Sequence, residues 1–251
     1  MAKSAHLPQA RRLIADSFRD TWRNKRSLVP IILIVMVPVL LLGLTMGAAS
    51  SASAYGSLAT LIMNVAVITT VMHLAAGTKH VKLAEAYYGG TRRFVPFVLV
   101  VLMLMAQTLP LLFGGLLYVS GSGGTVGLGL PEKLILVGMW AVIALPTFRW
   151  LARSIFALYI VQDDDVSPVA AVRASSALVR GATWRVGVRL LAATLTIFVL
   201  IIGPALVAAT LPADSGLGSQ LLLAGLQLLL GLVVVPFAAM YGYKLLKALQ
   251  S

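Results

Sequence analysis

The sequence predicts an all-α integral membrane protein. The expected architecture is a six-transmembrane-helix bundle, N-in and C-in, with amphipathic interfacial helices on its cytoplasmic side. Three observations predict it. First, the 251 residues are 59% hydrophobic and only 11% charged, and the mean hydropathy of +0.95 lies outside the soluble globular range. Second, six apolar runs punctuate the chain, at about 28–48, 54–76, 94–119, 131–149, 190–211 and 217–243. All but the fourth exceed the ~20 residues an α-helix needs to cross a bilayer core. The fourth qualifies if its helix starts at Leu130 or continues past Arg149.

The third observation is where the twenty Lys and Arg fall. Along the chain, the segments flanking and joining the runs carry seven, none, four, at most one, six, none and two of them, with only Lys133 on the poor side. Positive charge is retained in the cytoplasm, so the alternation places both termini inside and requires an even number of spans. The expected location is the cell (inner) membrane of a prokaryote, as one membrane domain over 1–251. The 27 mostly polar residues ahead of the first run show no small-residue cleavage site, which reads as an uncleaved signal anchor.

A net charge of +12 would point to nucleic acid in a soluble protein. Here the bases are spread over four juxtamembrane segments, so anionic lipid headgroups are the expected partner and nucleic acid is not. A membrane-protein partner is the other expectation. With no cysteine there is no disulfide framework or thiolate metal site.

The cytoplasmic segments carry helical patterns of their own. Residues 1–27 hold an interfacial helix, from Pro8 to Arg26, in which Ile14, Phe18 and Trp22 recur every four residues while Arg12, Asp16, Arg19, Asp20 and Arg23 take the other faces. Asp16 is spaced to pair with Arg12. In the second segment, helix two is expected to run on through Tyr88, break at Gly89-Gly90 and restart after Arg92-Arg93. The third, 163–189, has Ser167 as an N-cap, Pro168 at the first helical position and Gly181 as a stop. Its helix would align Val169, Val172, Ser176 and Val179 on one stripe and Arg173 and Arg180 on another.

The entries to spans one, three and five look alike: SFRDTWRNKRSLVPIIL, YYGGTRRFVPFVLVVL and ALVRGATWRVGVRLLAATL. Each joins a short amphipathic element to an apolar helix through Thr and basic or aromatic residues, and prolines interrupt the helices at Pro38, Pro110 and Pro204. A threefold repeat of interfacial helix plus helical hairpin would account for this. So would the general enrichment of Trp and Arg at membrane interfaces. In span one, Gly43 and Gly47 form a GxxxG pair that would seat a close helix contact, within a protomer or between copies in a homo-oligomer.

Ionisable residues inside spans mark function because burial there is costly. All eight carboxylates, Asp16, Asp20, Glu85, Glu132, Asp163, Asp164, Asp165 and Asp214, sit in tails, loops or helix ends, which disfavours a carboxylate proton relay or an aspartyl intramembrane protease. The polar residues within spans are Asn64, His73, Gln107 and Gln227, of the type that joins helices by hydrogen bonds. HExxH, GxSxG and P-loop patterns do not occur, and Gly121–Gly129 fails GxGxxG spacing. No catalytic residue, cofactor or metal is expected. The candidate contacts to an anionic lipid or ligand are Arg149, Arg153, Arg173, Arg180 and Arg185, with Asp163–Asp165 as alternative partners for the first two. Phe18, Trp22, Trp150 and Trp184 are the candidate interfacial anchors.

Within Arg149–Arg189 an aromatic-rich helix end (Phe156, Tyr159) leads to the acidic turn Asp163–Asp165. Ser167-Pro168 follows, then Ser175, Ser176, Leu178, Gly181 and Trp184. Over these forty or so residues the chain resembles the membrane domain of glycerophosphodiester phosphodiesterases and related six-span prokaryotic membrane protein families. The resemblance implies a six-helix membrane domain and no activity, since the catalytic barrel of those enzymes would be a separate domain. Glu85-Ala86 with Gly89 is similar to the coupling loop of ABC-transporter permeases, without the Ile/Pro spacing that follows it there. The expected function is a non-enzymatic accessory, scaffold or lipid/protein-handling component. The alternative is a membrane transport protein, as a permease subunit or an oligomeric pore.

Overall fold

The computed structural model describes residues 8–46, 50–78, 80–121, 129–163, 166–209 and 217–250. Every element among them is helical. In chain order they are α1 (Ala10–Arg23), α2 (Lys25–Met46), α3 (Ser50–Ala75), α4 (Leu83–Arg92), α5 (Phe94–Gly121), α6 (Leu130–Ser154), α7 (Ala157–Asp163), α8 (Pro168–Val179), α9 (Thr183–Ala209) and α10 (Leu217–Gln250). Six stretches, in α2, α3, α5, α6 continued through α7 as Val137–Gln162, α9 and α10, are long and apolar enough to cross a membrane, so the chain is a multi-pass integral membrane protein. The fourth run, the short one, belongs to a helix of 25 residues that starts at Leu130 and continues past Arg149. Gly47 lies outside the described residues, so the GxxxG pair does too.

Four local expectations change. α3 ends at Ala75 and turns at Gly77, whose φ of 99° suits a residue without Cβ. Helix two therefore does not run on to Tyr88. Gly89-Gly90 does not break a helix either, because both lie inside α4. A Cβ on Gly90 would sit 3.3 Å from the Ala66 backbone nitrogen of α3, so the glycine serves close approach and not chain reversal. α2 and α5 pass through Pro38 and Pro110 unbroken, and α9 extends beyond Pro204. Apolar helices tolerate proline where neighbouring groups satisfy the freed carbonyls. The 163–189 segment is divided, since α9 begins at Thr183 and takes Arg185 and Arg189 into its first turns.

The chain forms two compact units, 1–95 with 191–251 and 96–190. In the first, α2, α3 and α10 pack on one another, and α1 and α4 dock onto them. Ile31, Ile32, Met63, Val65, Val67, Val71, Phe237 and Leu245 form its dry centre. Phe18 stacks on Phe237 at 4.2 Å, a contact of roughly 1 kcal/mol beyond its area burial. Gly231 lets α10 approach Met36 of α2, whose sulfur stands where a Cβ would have to go. In the second unit α8 packs against α6 and α7.

The short helices follow one pattern. α1 packs on α10, α4 on α3 and α8 on α6. Each buries small residues or a short apolar pair four apart: Leu13 and Ser17, Ala86 and Gly90, Ala171 and Ser175 with Val179. Each is also fastened by a polar bond, Lys244 to α1, Tyr87 to the Ile31 carbonyl, and Ser175 to the Arg153 carbonyl. Among the described residues the order short helix, long helix, long helix holds for α1–α3 and α4–α6, whereas two short helices, α7 and α8, precede the long pair α9 and α10. On α8 the buried stripe is Ala171, Ser175 and Val179. Of the stripe expected, only Val179 is in it: Val172 and Ser176 are half-buried and Val169 is exposed, because the helix turns its small residues to α6.

Candidate functional site

Arg149 and Arg153 are one turn apart on α6 and border a cleft of about 580 Å³. Its walls are Leu145, Pro146, Phe148 and Ala152 of the same helix and Gly181, Thr183 and Trp184 from the turn into α9. Local sequence builds this arrangement. Ser167 accepts from the Ala170 N–H and caps α8, which Pro168 starts. Gly181, at φ 87°, reverses the chain after Arg180 and delivers Thr183 to α6.

Two hydrogen bonds then fix Arg153. Its Nε donates to Thr183 Oγ1 at 3.3 Å, and its main-chain carbonyl accepts from Ser175 Oγ at 2.5 Å. Thr183 Oγ1 in turn donates to the Val179 carbonyl at 3.3 Å, so a chain of bonds runs from α8 into the guanidinium. With Nε held, the two terminal nitrogens of Arg153 remain as a donor fork, the geometry that suits carboxylate or phosphate. Arg149 is exposed beside it. Among the described residues neither arginine has a carboxylate partner. Asp164 and Asp165, and the side chain of Asp163, lie outside the described set, so the alternative pairing does too.

At the α9 side, Gly187 faces Phe148: a Cβ there would come within 2.9 Å of the ring. This close approach holds the aromatic wall of the cleft against α9. Trp184 stands 75% exposed at the rim.

Of the other arginines, Arg173 and Arg180 are exposed on and just after α8, and Arg185 is exposed on the first turns of α9. None of these three lines the cleft. Among the anchors, Trp22, Trp150 and Trp184 are exposed, whereas Phe18 is turned inward on Phe237. Lys25 places its ammonium 4.3 Å over the Trp22 ring.

The polar residues within spans bond locally or stand apart within their own units. Asn64 donates to the Thr60 carbonyl and His73 Nδ1 lies 2.8 Å from the Thr69 carbonyl, both within α3. Gln227 is exposed on α10, and Gln107 holds a buried side-chain oxygen on α5 with no hydrogen-bond partner among the described residues.

A second cleft, of about 310 Å³, lies in the other unit between α1, α3 and the end of α10. Asp20, Asn24, Tyr243, Lys244 and Lys247 line it, and Lys244 Nζ lies 2.5 Å from Asp20 Oδ2. Sequence reading missed this pair, because its members stand at opposite ends of the chain and no spacing rule links them. Asp16, expected to face Arg12, lies 4.0 Å from Arg19 instead.

The chain matches no protein-family model, no curated protein and no solved structure.

Proposed function

We propose that this protein is a non-enzymatic component of a prokaryotic inner membrane, an accessory or scaffold that handles lipid or protein at the cytoplasmic leaflet. The observation that carries the reading is the cleft on α6. A donor fork and a second guanidinium border an apolar wall, and the hydroxyl of Thr183 beside them is engaged with Arg153 and the Val179 carbonyl. Such a site can hold an anion on an apolar stem. Both termini and the Arg149/Arg153 end of α6 face the cytoplasm in this reading, by the distribution of Lys and Arg. Ser167-Pro168, the αL Gly181 and Trp184 also fit kinship with the membrane domains of glycerophosphodiester phosphodiesterases.

Affinity purification of the full chain from its native membrane, followed by mass spectrometry, tests the reading. It predicts a co-purifying membrane protein that is retained without any added solute. Recovery of a stoichiometric ATPase, or thermal stabilisation by a transported solute, would instead establish the permease alternative.

A further inference from the structure

The two clefts occupy corresponding places in the recurring pattern. Each lies beside the junction of a short helix with a long one, where the end of another span brings up a base: the α1–α2 junction with the ends of α3 and α10, and the α8–α9 junction with α6. The linking sequences share Thr-Trp-Arg, as Thr21-Trp22-Arg23 and Thr183-Trp184-Arg185. Aligned on that tripeptide, Asp20 falls opposite Ala182. This one difference changes the chemistry. In the first cleft the ammonium of Lys244 is neutralised by Asp20. In the second the position is apolar, and Arg153 receives only the neutral hydroxyl of Thr183.

We propose that the α6–α9 cleft is a one-to-one site for an anionic phospholipid. Its phosphate bridges Arg149 and the free edge of Arg153, and an acyl chain lies along Leu145, Pro146, Phe148 and Trp184. The proposal rests on the lipid-handling reading above and gives it a ligand class and a place. Planar guanidinium favours phosphate through paired, charge-assisted hydrogen bonds. The cleft volume, about 580 Å³, is of the size of sites that enclose an organic ligand and exceeds what an inorganic phosphate fills. Its wall is mostly hydrocarbon and aromatic, as an acyl chain requires and a free anion does not.

Native mass spectrometry of the detergent-purified full chain tests this, with phosphatidylglycerol, phosphatidylcholine and inorganic phosphate as probes. The expected result is a single phosphatidylglycerol adduct that survives detergent and is not displaced by inorganic phosphate, with no equivalent adduct of phosphatidylcholine. R149Q with R153Q should weaken it about ten- to a hundredfold, the range for losing charge-assisted hydrogen bonds. L145W fills the cleft without altering charge and should weaken it comparably, while R173Q with R180Q should leave it unchanged. Circular dichroism and gel filtration establish that each variant is folded.

Equal weakening by the two arginine pairs would overturn the proposal in favour of diffuse surface attraction. Displacement by inorganic phosphate, or no effect of L145W, would overturn the lipid assignment. Absence of a one-to-one adduct on folded wild-type protein would end it outright. The accessory reading would then stand or fall separately, on whether a membrane partner still co-purifies.

Discussion

Lys244, near the end of the last helix, closes onto Asp20 of the first: its Nζ lies 2.5 Å from the carboxylate and 2.8 Å from the main-chain carbonyl of Asp16. One ammonium thereby joins α1 to α10 through both a charge and a backbone acceptor. The Asp16 carbonyl is in the helix interior, so Lys244 adds a bond to a group already engaged. The pair keeps some exposure, 26% and 38% for the two side chains, which lets solvent screen it.

Removing this link should free α1 without unfolding the spans. K244Q is expected to cost about 1 kcal/mol after screening. Limited trypsin digestion should then cut faster between Arg11 and Arg26, and added salt should reproduce part of the effect in the wild type. Unchanged cleavage would show that the Phe18–Phe237 stack alone holds the helix.

Tyr87 donates to the Ile31 carbonyl at 2.6 Å and joins α4 to α2. Burial pushes its phenol from 10.0 up to about 12. Because the folded value is the higher one, the protonated form is favoured by folding. Its contribution is complete below pH 10 and is lost as pH rises towards 12. An alkaline melting series should show this loss in the wild type and a smaller one in Y87F, which is itself expected to lower stability by about 1 kcal/mol.

Gly90 is where α4 comes closest to α3. A Cβ would stand 3.3 Å from the Ala66 backbone nitrogen, and backbone cannot give way as a side chain can. G90L should cost about 2 kcal/mol as an overpacked contact, while G90A offsets most of a smaller penalty through helix propensity. Thermal melts of the two variants in detergent check the order.

Ser175 is fully buried and donates at 2.5 Å to the Arg153 carbonyl, in the last turn of α6. S175A should cost about 1–3 kcal/mol by leaving that carbonyl unsatisfied. It should also loosen Arg153 and raise hydrogen exchange over α8 before it does so over α6.

Orientation is accessible because the natural chain has no cysteine. Single replacements R173C and E132C should react with a membrane-impermeant maleimide from opposite sides of oriented vesicles, Arg173 from the cytoplasmic face. Labelling of both from one side would refute the charge-based topology.

Much of the architecture was legible in particular residues. Six spans were countable because an apolar helix in lipid must be continuous over its whole length, a signal no other fold imitates. Ser167, Pro168 and Gly181 announced the bounds of α8 because capping and positive φ are local chemistry. The Gly89-Gly90 pair was misleading for the opposite reason: in a soluble loop it would break a helix, whereas here it serves the close approach of α4 to the preceding helix, at Ala66 and Thr69. Phe18 belonged to a visible stripe, but nothing in the stripe said that Phe237 would meet it. For the cleft, Arg149 and Arg153 could be named in advance from their spacing. The bond from Arg153 to Thr183, and the apolar wall beside the two arginines, could not.

By itself, the sequence determined that this is an all-α chain with six helices fit to cross a membrane, and which of its segments carry the charge. Those properties are sums over neighbouring residues, and the bilayer reads them one segment at a time. Only the tertiary structure decided which base meets a carboxylate and which meets a hydroxyl. Lys244 meets Asp20 and Arg153 meets Thr183 because helix packing brings them together, and a charge's partner is set by distance in space.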